Sequence, residues 1–239
     1  MSNPTTNIQQ TLLKICDFCL ELIFPTSCLG CQQTGTELCP QCLVKIKIKL
    51  QQVCPICQKL SPAGQTCLKC QKFSPLTGLH IASHYTENHL LMAAIKRLKY
   101  RFARNLSPKL STILMRNLPQ KILTQNPTLV PVPLHYRRQF WRGFNQAELL
   151  SQALSQQLNL PTANLLKRTR STPPQTQFKR TARLKNLGGA FQFCPPKKIP
   201  QKVLLIDDVA TTLTTLQECA KILRANGIPE VWGLVLARG

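Results

Sequence analysis

The segment of the chain that says most about chemistry is VLLIDDVATTLTTL, residues 203–216. An apolar strand ends here in two adjacent acids, Asp207 and Asp208, and a threonine-rich turn then opens a helix. N–H groups at a helix start suit a phosphate, and paired carboxylates suit ribose hydroxyls or a hydrated magnesium ion. The structural alternative is an acidic strand end with a threonine N-cap. We favour a ligand site, because the acid pair is followed by Thr211, Thr212, Thr214 and Thr215.

A second chemical feature is a series of CxxC pairs in the first third of the chain. The two-residue gap lets both sulfurs reach one ion at about 2.3 Å, so four pairs predict two tetrahedral zinc sites. Structural zinc would stabilise a segment with so few large apolar side chains. An ion can be shared by consecutive pairs or by the first and third, and we favour consecutive pairs because their loops are shorter. The predicted ligands are Cys28, Cys31, Cys39 and Cys42 for one ion, and Cys54, Cys57, Cys67 and Cys70 for the other.

The remaining cysteines and the histidines do not show the spacing of a site. Cys16 and Cys19 lie in the amphipathic stretch 8–24, which predicts a helix ended by Pro25, and we expect both thiols to be packed as small apolar groups. Cys194 and Cys219 are isolated in the sequence.

The charge balance predicts an anionic partner. The chain of 239 residues has 31 Lys and Arg against 9 Asp and Glu, a formal net charge of +22. Residues 1–79 hold seven of the bases and three of the acids, so the 24 bases and six acids of residues 80–239 give that part +18. This excess favours nucleic acid, an anionic membrane or a polyphosphate ligand. The scarcity of acids excludes carboxylate-rich sites such as an EF-hand.

The pattern along the chain predicts two domains. We expect a helix plus double zinc-ribbon module in residues 1–79 and an α/β domain in residues 80–239, with a hinge at SPLTGL, residues 74–79. The second part alternates between strands and helices, which predicts a parallel sheet. The predicted strands are 129–134, 203–206 and 231–236, and the predicted helices are 90–118, 144–158 and 212–226.

The N-terminus lacks the features of a signal peptide, and the longest apolar segment is shorter than the ~20 residues that span a bilayer. We therefore expect a cytosolic protein with reduced thiols, in which cysteine pairs more often bind metal than form disulfides.

The acid-pair segment resembles the phosphoribosyl-pyrophosphate motif of type I phosphoribosyltransferases. RGFNQ (142–146), PPQT (173–176) and NLGGAF (186–191) further resemble the ComF family of competence proteins, over about residues 16–238. The resemblance implies a type I phosphoribosyltransferase-like parallel sheet flanked by helices, preceded by a zinc ribbon.

The resemblance also implies roles for individual residues. Asp207 and Asp208 would hold ribose hydroxyls, residues 211–215 would hold the 5′-phosphate, and Arg142 would lie against the pyrophosphate. Leu213 stands where the family usually has glycine. If the loop needs a positive φ there, leucine costs roughly 1–2 kcal/mol.

The function that the resemblance implies is the handling of single-stranded DNA during natural transformation, as DNA enters the cytoplasm. It places the protein in the cytoplasm or at the inner membrane face, near other DNA-uptake machinery. The alternative is an active transferase that uses phosphoribosyl pyrophosphate and magnesium on an unidentified acceptor. Whether the chain is an enzyme stays open at this point.

Basic residues interleaved with aromatic residues are the candidates for nucleic-acid binding, because rings stack on bases while cations follow the backbone. A solvated basic surface is the alternative. The basic stretch 169–189 has the composition of a mobile loop, which could cover a departing pyrophosphate. The nucleic-acid candidates are Lys96, Arg97, Lys99, Arg101, Arg138 and Trp141.

Overall fold

A computed structural model describes residues 26–85, 88–99, 101–169 and 189–239, without the side chains of residues 101–103 and 138. The helix predicted at 8–24 and nearly all of the loop predicted at 169–189 lie outside these ranges. The chain divides into two compact units, residues 1–45 and residues 46–239. In the structure, residues 46–79 belong to the same compact unit as the sheet, and the domain boundary after residue 79 stays a prediction.

The second unit is built on a parallel sheet. The strands of the sheet are β1 (Gly78–His84), β2 (Thr128–Pro131), β5 (Lys202–Ala210) and β6 (Glu230–Arg238). The strands β3 (Leu166–Arg168) and β4 (Phe191–Phe193) form a separate two-stranded ribbon. The sheet has the order β1-β6-β5-β2, and all of its neighbouring strands are parallel. The ribbon is antiparallel. The two strands at the centre, β5 and β6, are the longest and carry near-continuous apolar runs, as expected where both faces of a sheet are covered.

The helices of the described residues belong to both units. They are α1 (Pro40–Lys45) in the first unit, and α2 (Leu68–Gln71), α3 (His89–Leu98), α4 (Ser107–Met115), α5 (Gln120–Leu123), α6 (Tyr136–Arg142), α7 (Gln146–Leu158) and α8 (Thr214–Ala225) in the second. Two 3₁₀ turns, Pro62–Gly64 and Arg101–Leu106, join some of them.

The core of the second unit covers both faces of the sheet. Val203 and Leu205 of β5 belong to a buried cluster with Leu216 and Leu223 of α8. Alternate residues of a strand point to opposite faces, so the equally buried Leu204 lies on the other face. Helices α4 and α7 pack on each other, α4 against β1 and β6 and α7 against β2 and β5.

The three predicted strands are present, at Thr128–Pro131, Lys202–Ala210 and Glu230–Arg238. The predictions missed β1 and the β3–β4 ribbon. The helix predicted at 90–118 is wrong as a single element, because a 3₁₀ turn at Arg101–Leu106 separates α3 from α4. The basic stretch after β2 forms helix α6, which was not among the predicted helices. The Nδ1 atom of its N-cap His135 accepts a hydrogen bond from the backbone N–H of Arg137 at 3.3 Å.

Among the described residues, none of the helices has both the length and the apolar character needed to cross a bilayer.

Candidate ligand cleft and cysteine sites

The first cysteine group lies in the first unit and brings four thiols together. The Sγ atoms of Cys28, Cys31, Cys39 and Cys42 all lie within 4.8 Å of one another. Those of Cys31 and Cys39 are 3.6 Å apart, close to the ~3.8 Å edge of a tetrahedron with Zn–S distances of 2.3 Å. The N–H of Cys39 donates to the Cys28 sulfur at 3.3 Å. The group can therefore bind a zinc ion.

Ionisation within the first group is unequal. Burial opposes ionisation of Cys28, but hydrogen bonds from backbone N–H groups, that of Cys31 first, lower its pKa to about 6. Burial, followed by the neighbouring Cys39 thiol, raises the pKa of Cys42 to about 12. A metal ion bound by all four sulfurs would displace their remaining protons, because the thiolate is the ligand.

The second cysteine group lies in the second unit and has the same arrangement. The Sγ atoms of Cys54, Cys57, Cys67 and Cys70 lie within 4.8 Å of one another. The N–H of Cys67 donates to the Cys54 sulfur at 3.5 Å. Backbone N–H groups lower the pKa of Cys54 to about 6 against the effect of burial. In both groups the ligands come from consecutive CxxC pairs, and the interleaved alternative does not occur.

The two cysteine groups repeat one backbone design. After the first cysteine of each group the chain turns back, so that Cys28 N–H donates to Gln33 O at 2.9 Å and Cys54 N–H to Lys59 O at 2.8 Å. The residue that closes each turn has a left-handed backbone, with φ 62° at Gln32 and 61° at Gln58. The structure thus confirms two equivalent cysteine knuckles.

The acid pair lies at the carboxyl end of the central strand β5. The N–H of Asp208 donates to Asp207 Oδ1 at 2.8 Å, and the N–H of Val209 donates to Asp208 Oδ1 at 2.8 Å. These bonds fix both carboxylates against the strand. The chain then turns through residues 211–213 into α8, which places the N-terminus of that helix beside the acids.

Leu213 makes the turn into α8 with a left-handed backbone, at φ 61° and ψ −8°. Its side chain is only 6% exposed and belongs to the buried cluster around α8. This is the conformation that glycine adopts most readily, and the fold offsets the strain by burying the leucine side chain. Behind it, Thr214 Oγ1 donates to Thr212 Oγ1 at 2.9 Å.

A cleft of about 350 Å³ lies over the acid pair. Basic side chains line its other walls. They come from α3 and the residue that follows it, from the end of α6 and from β3. The lining includes Asp207, Asp208, Thr211, Thr212, Leu213, Thr215, Lys96, Lys99, Arg142, Arg168, Asn145 and Gln146. Two carboxylates, helix-start hydroxyls and four basic groups can together hold a sugar that carries more than one phosphate.

The RGFNQ motif builds the wall that contains Arg142. Gly143 ends α6 with a left-handed backbone at φ 76°, and Asn145 caps α7 by accepting the Ala147 N–H at 3.1 Å. Arg142 Nη1 donates to Gln146 Oε1 at 3.1 Å, which orients the guanidinium at the cleft. The motif is therefore a tight helix–helix junction that positions one cation.

Electrostatics in the cleft centre on the acid pair. Burial, and then the Asp208 carboxylate, raise the pKa of Asp207 well above its ordinary value of 3.8. The Lys99 ammonium acts in the opposite sense and lies 2.9 Å from Asp208 Oδ2. Lys99, the residue that follows α3, thus supplies a near counter-charge to the pair.

Other predicted site residues lie outside the cleft lining. Thr214 is 2% exposed behind the loop, and Arg97 is exposed on α3. Trp141 is 80% exposed on α6. The side chains of Arg101 and Arg138 lie outside the described residues. The sequence prediction missed Asn145, Gln146 and Arg168 as lining residues, although the first two stand in RGFNQ, a segment it had singled out.

A second cavity, of about 570 Å³, is lined by residues of the same loop. Thr212, Leu213 and Thr214 line it together with Pro55 and Ile56. These two residues stand inside the knuckle formed by Cys54 and Cys57. The second cysteine group therefore borders the loop that the ligand cleft uses.

Comparison with known proteins gives the following relatives. No family model matches the chain. Competence protein F of Haemophilus influenzae is 35% identical over 221 residues, which are 88% of this chain and 90% of that protein. The chain belongs to the ComF family. DNA utilization protein YhgH of Escherichia coli K12 is 32% identical over 87% of each chain, and Competence protein ComFC of Bacillus subtilis is 25% identical over 95% of each.

Among solved structures, the orotate phosphoribosyltransferase of Aeropyrum pernix aligns with a TM-score of 0.33 and 18% identity, over 60% of this chain and 63% of that one. As predicted, this ComF-family chain has an α/β fold with a parallel sheet flanked by helices, and two cysteine tetrads lie toward the N-terminus.

Proposed function

We propose that this ComF-family protein handles single-stranded DNA during DNA uptake, on the cytoplasmic side of the inner membrane. The names of its relatives, competence protein and DNA utilization protein, support a role of this class. The observation that carries the DNA-binding step is a pair of exposed aromatic rings on α6. Phe140 is 81% exposed and Trp141 is 80% exposed.

The surroundings of these rings suit a single strand. Arg137 lies on the same helix and is exposed, and Arg142 ends that helix at the ligand cleft. Exposed rings stack on unpaired bases with little sequence preference, while cations follow the phosphates. A strand held on α6 would thus present a backbone phosphate to the cleft. Lys96 and Arg97 extend the basic surface along α3.

The test is binding of a fluorescent oligothymidylate, followed by anisotropy over a series of salt concentrations. Trp141→Ala and Phe140→Ala should weaken binding at every salt concentration, because stacking is not screened. Lys96→Glu with Arg97→Glu should flatten the dependence of log affinity on log salt, by about 0.7 for each phosphate that the protein no longer neutralises. Lys99 is left out of this set because it is paired with Asp208.

The matched control is Phe73→Ala. Phe73 is 81% exposed, like Phe140, but lies three residues after Cys70 of the second cysteine group. If it weakens binding as much as Trp141→Ala does, or if no variant weakens binding, α6 is not the DNA surface and this proposal fails.

A second function, favoured by the cleft, is the binding of phosphoribosyl pyrophosphate. Asp207 and Asp208 would accept the ribose hydroxyls, the N-terminus of α8 with Thr211, Thr212 and Thr215 would hold the 5′-phosphate, and Arg142 with Arg168 would face the pyrophosphate. Positive groups that stabilise a departing pyrophosphate are what a transferase requires. Magnesium would enter with the pyrophosphate of the ligand.

Isothermal titration with phosphoribosyl pyrophosphate and magnesium tests this second function. Asp207→Asn with Asp208→Asn should abolish binding, because the ribose hydroxyls lose their anionic acceptors. The control is Glu218→Gln, an acid of α8 that does not line the cleft. Unchanged binding in the double variant would remove the acid pair from the ligand site.

A further inference from the structure

The contact between Lys99 and Asp208 joins two distant segments across the cleft. The Lys99 Nζ lies 2.9 Å from Asp208 Oδ2, with the lysine side chain 33% exposed and the aspartate side chain 7% exposed. Helix α3 fixes the lysine in place, because Leu91, Ile95 and Leu98 are buried on its inner face. The ammonium is therefore positioned by the core.

Each oxygen of the Asp208 carboxylate has a polar neighbour, although Oδ2 accepts no hydrogen bond from the described residues. The Val209 N–H donates to Oδ1 at 2.8 Å, while Oδ2 faces Lys99. Magnesium takes oxygen ligands at about 2.0–2.1 Å in an octahedron and keeps several waters, so an ion on Oδ2 would occupy the space beside the ammonium.

The charge of the whole cleft also disfavours a metal ion on the acids. Four basic side chains line it, those of Lys96, Lys99, Arg142 and Arg168, against two carboxylates. The formal sum of +2 favours anions. The residues present thus do not fit a magnesium ion bound directly to the acid pair. The magnesium that the resemblance to phosphoribosyltransferases implies is the ion that accompanies phosphoribosyl pyrophosphate.

We propose that the Lys99 ammonium supplies, at Asp208, the positive charge that a divalent metal ion would otherwise supply. The acid pair then receives the ribose of the ligand without a metal ion on its carboxylates. Each carboxylate oxygen has two lone pairs, so a ribose hydroxyl can donate to the acids while the ammonium stays in place. This inference rests on the proposed phosphoribosyl site and concerns only the acid pair, since an ion held by the pyrophosphate of a ligand is separate from it.

The first test measures Mn²⁺ binding to the zinc-loaded protein by electron paramagnetic resonance of the free ion. Wild-type protein should bind no Mn²⁺ at the acid pair. Lys99→Met should create one Mn²⁺ site, and Lys99→Met with Asp208→Asn should lose it again. Lys221→Met removes an exposed charge of α8 outside the cleft and should create none.

Thermal melting checks that each variant is folded. Lys99→Arg, which keeps the positive charge, is the second variant in case Lys99→Met is unstable. Lys99→Arg should behave like the wild type. A Mn²⁺ site in the wild type that requires Asp208, or no gain of a site in folded Lys99→Met, overturns the inference.

The second test titrates ribose 5-phosphate, which lacks the pyrophosphate. The buffer is freed of divalent ions on a chelating resin, because a soluble chelator would remove zinc from the cysteine groups. The wild type should bind equally with and without magnesium. Lys99→Met should bind about tenfold more weakly without magnesium, a loss of ~1.4 kcal/mol, and should recover when magnesium is added.

The outcomes separate the two proposals. If the wild type binds ribose 5-phosphate only with magnesium, the Lys99 inference is wrong and the phosphoribosyl site stands. If it binds neither with nor without magnesium, the phosphoribosyl proposal fails, and the Mn²⁺ measurement still decides whether Lys99 keeps a metal ion off Asp208.

Discussion

The side-chain amide of Gln52 pairs with both backbone groups of Ile81, as a neighbouring strand would. Its Nε2 donates to Ile81 O at 2.9 Å, and Ile81 N–H donates to its Oε1 at 3.0 Å. Ile81 stands on β1, one of the two edge strands of the sheet, and Gln52 is 7% exposed. The glutamine, which stands two residues before Cys54, thus pairs with backbone groups at the edge of the sheet.

We expect Gln52→Ala to lower the free energy of unfolding by about 2–4 kcal/mol, because it leaves two buried backbone groups of Ile81 unpaired. Urea denaturation of the zinc-loaded protein measures the loss. The neighbouring Gln51→Ala, at an exposed position, is the control and should stay within about 0.5 kcal/mol of the wild type. Equal values for the two variants would show that the pairing contributes nothing.

Native mass spectrometry should find two zinc ions per chain, one for each cysteine group. Cys54→Ser with Cys57→Ser should leave one. It should also destabilise the sheet, because this group belongs to the unit of residues 46–239 and its knuckle borders the loop before α8. Cys194→Ser, outside both groups, should keep two. Zinc-free protein with disulfides, after purification without chelators, would contradict the assignment.

His80 should make the protein acid-sensitive. It is fully buried on β1, and burial lowers its pKa from 6.5 to about 4. In acid the unfolded chain therefore binds a proton that the folded chain excludes. The contribution of His80 to the free energy of unfolding is fully present above pH 6.5. It should fall by about 3 kcal/mol as the pH drops to 4.

His80→Leu should remove this part of the pH dependence, as measured by urea denaturation at several pH values. The exposed His89→Leu is the control and should keep it. If the His80→Leu variant is as acid-sensitive as the wild type, the loss of stability in acid comes from other titratable groups.

The variant Leu213→Gly has two opposite effects on stability, because it relieves backbone strain and removes a buried side chain. Glycine removes a left-handed strain of ~1–2 kcal/mol, whereas truncating a buried leucine costs about 2–5 kcal/mol, so the variant should be less stable. Because the leucine side chain is packed in the core, the affinity for ribose 5-phosphate should change little. Calorimetry measures both effects. A large gain in affinity would show that the side chain obstructs the phosphate.

The sequence predicts those parts of the fold and site that depend on near neighbours. Both cysteine groups follow from CxxC spacing, and the strand–loop–helix around Asp207 follows from an apolar run, an acid pair and a threonine turn. Helix α7 follows from its Asn145 cap and its periodicity. In each case local chemistry and the fold agree.

The sequence predictions failed where the structure depends on contacts between residues that are far apart in the sequence. Strand β1 has the sequence GLHIASH, in which a glycine, two histidines and a serine obscure the apolar pattern. It forms because it pairs with β6 and because Gln52 bonds to Ile81 on it. The sequence also does not indicate that Lys99 lies 2.9 Å from Asp208 Oδ2, and the predicted role of Lys99 in nucleic-acid binding stays a prediction. Only the packing of α3 onto the sheet unit brings these two residues together.

The anchoring of Leu213 has a thermodynamic consequence for binding. Since its side chain already lies in the core, the loop of residues 211–215 has little apolar surface left to bury when a ligand arrives. Burial of apolar surface is what gives binding a negative heat-capacity change. A ligand at this loop should therefore bind with a heat of association that barely varies with temperature, as expected for a rigid receptor.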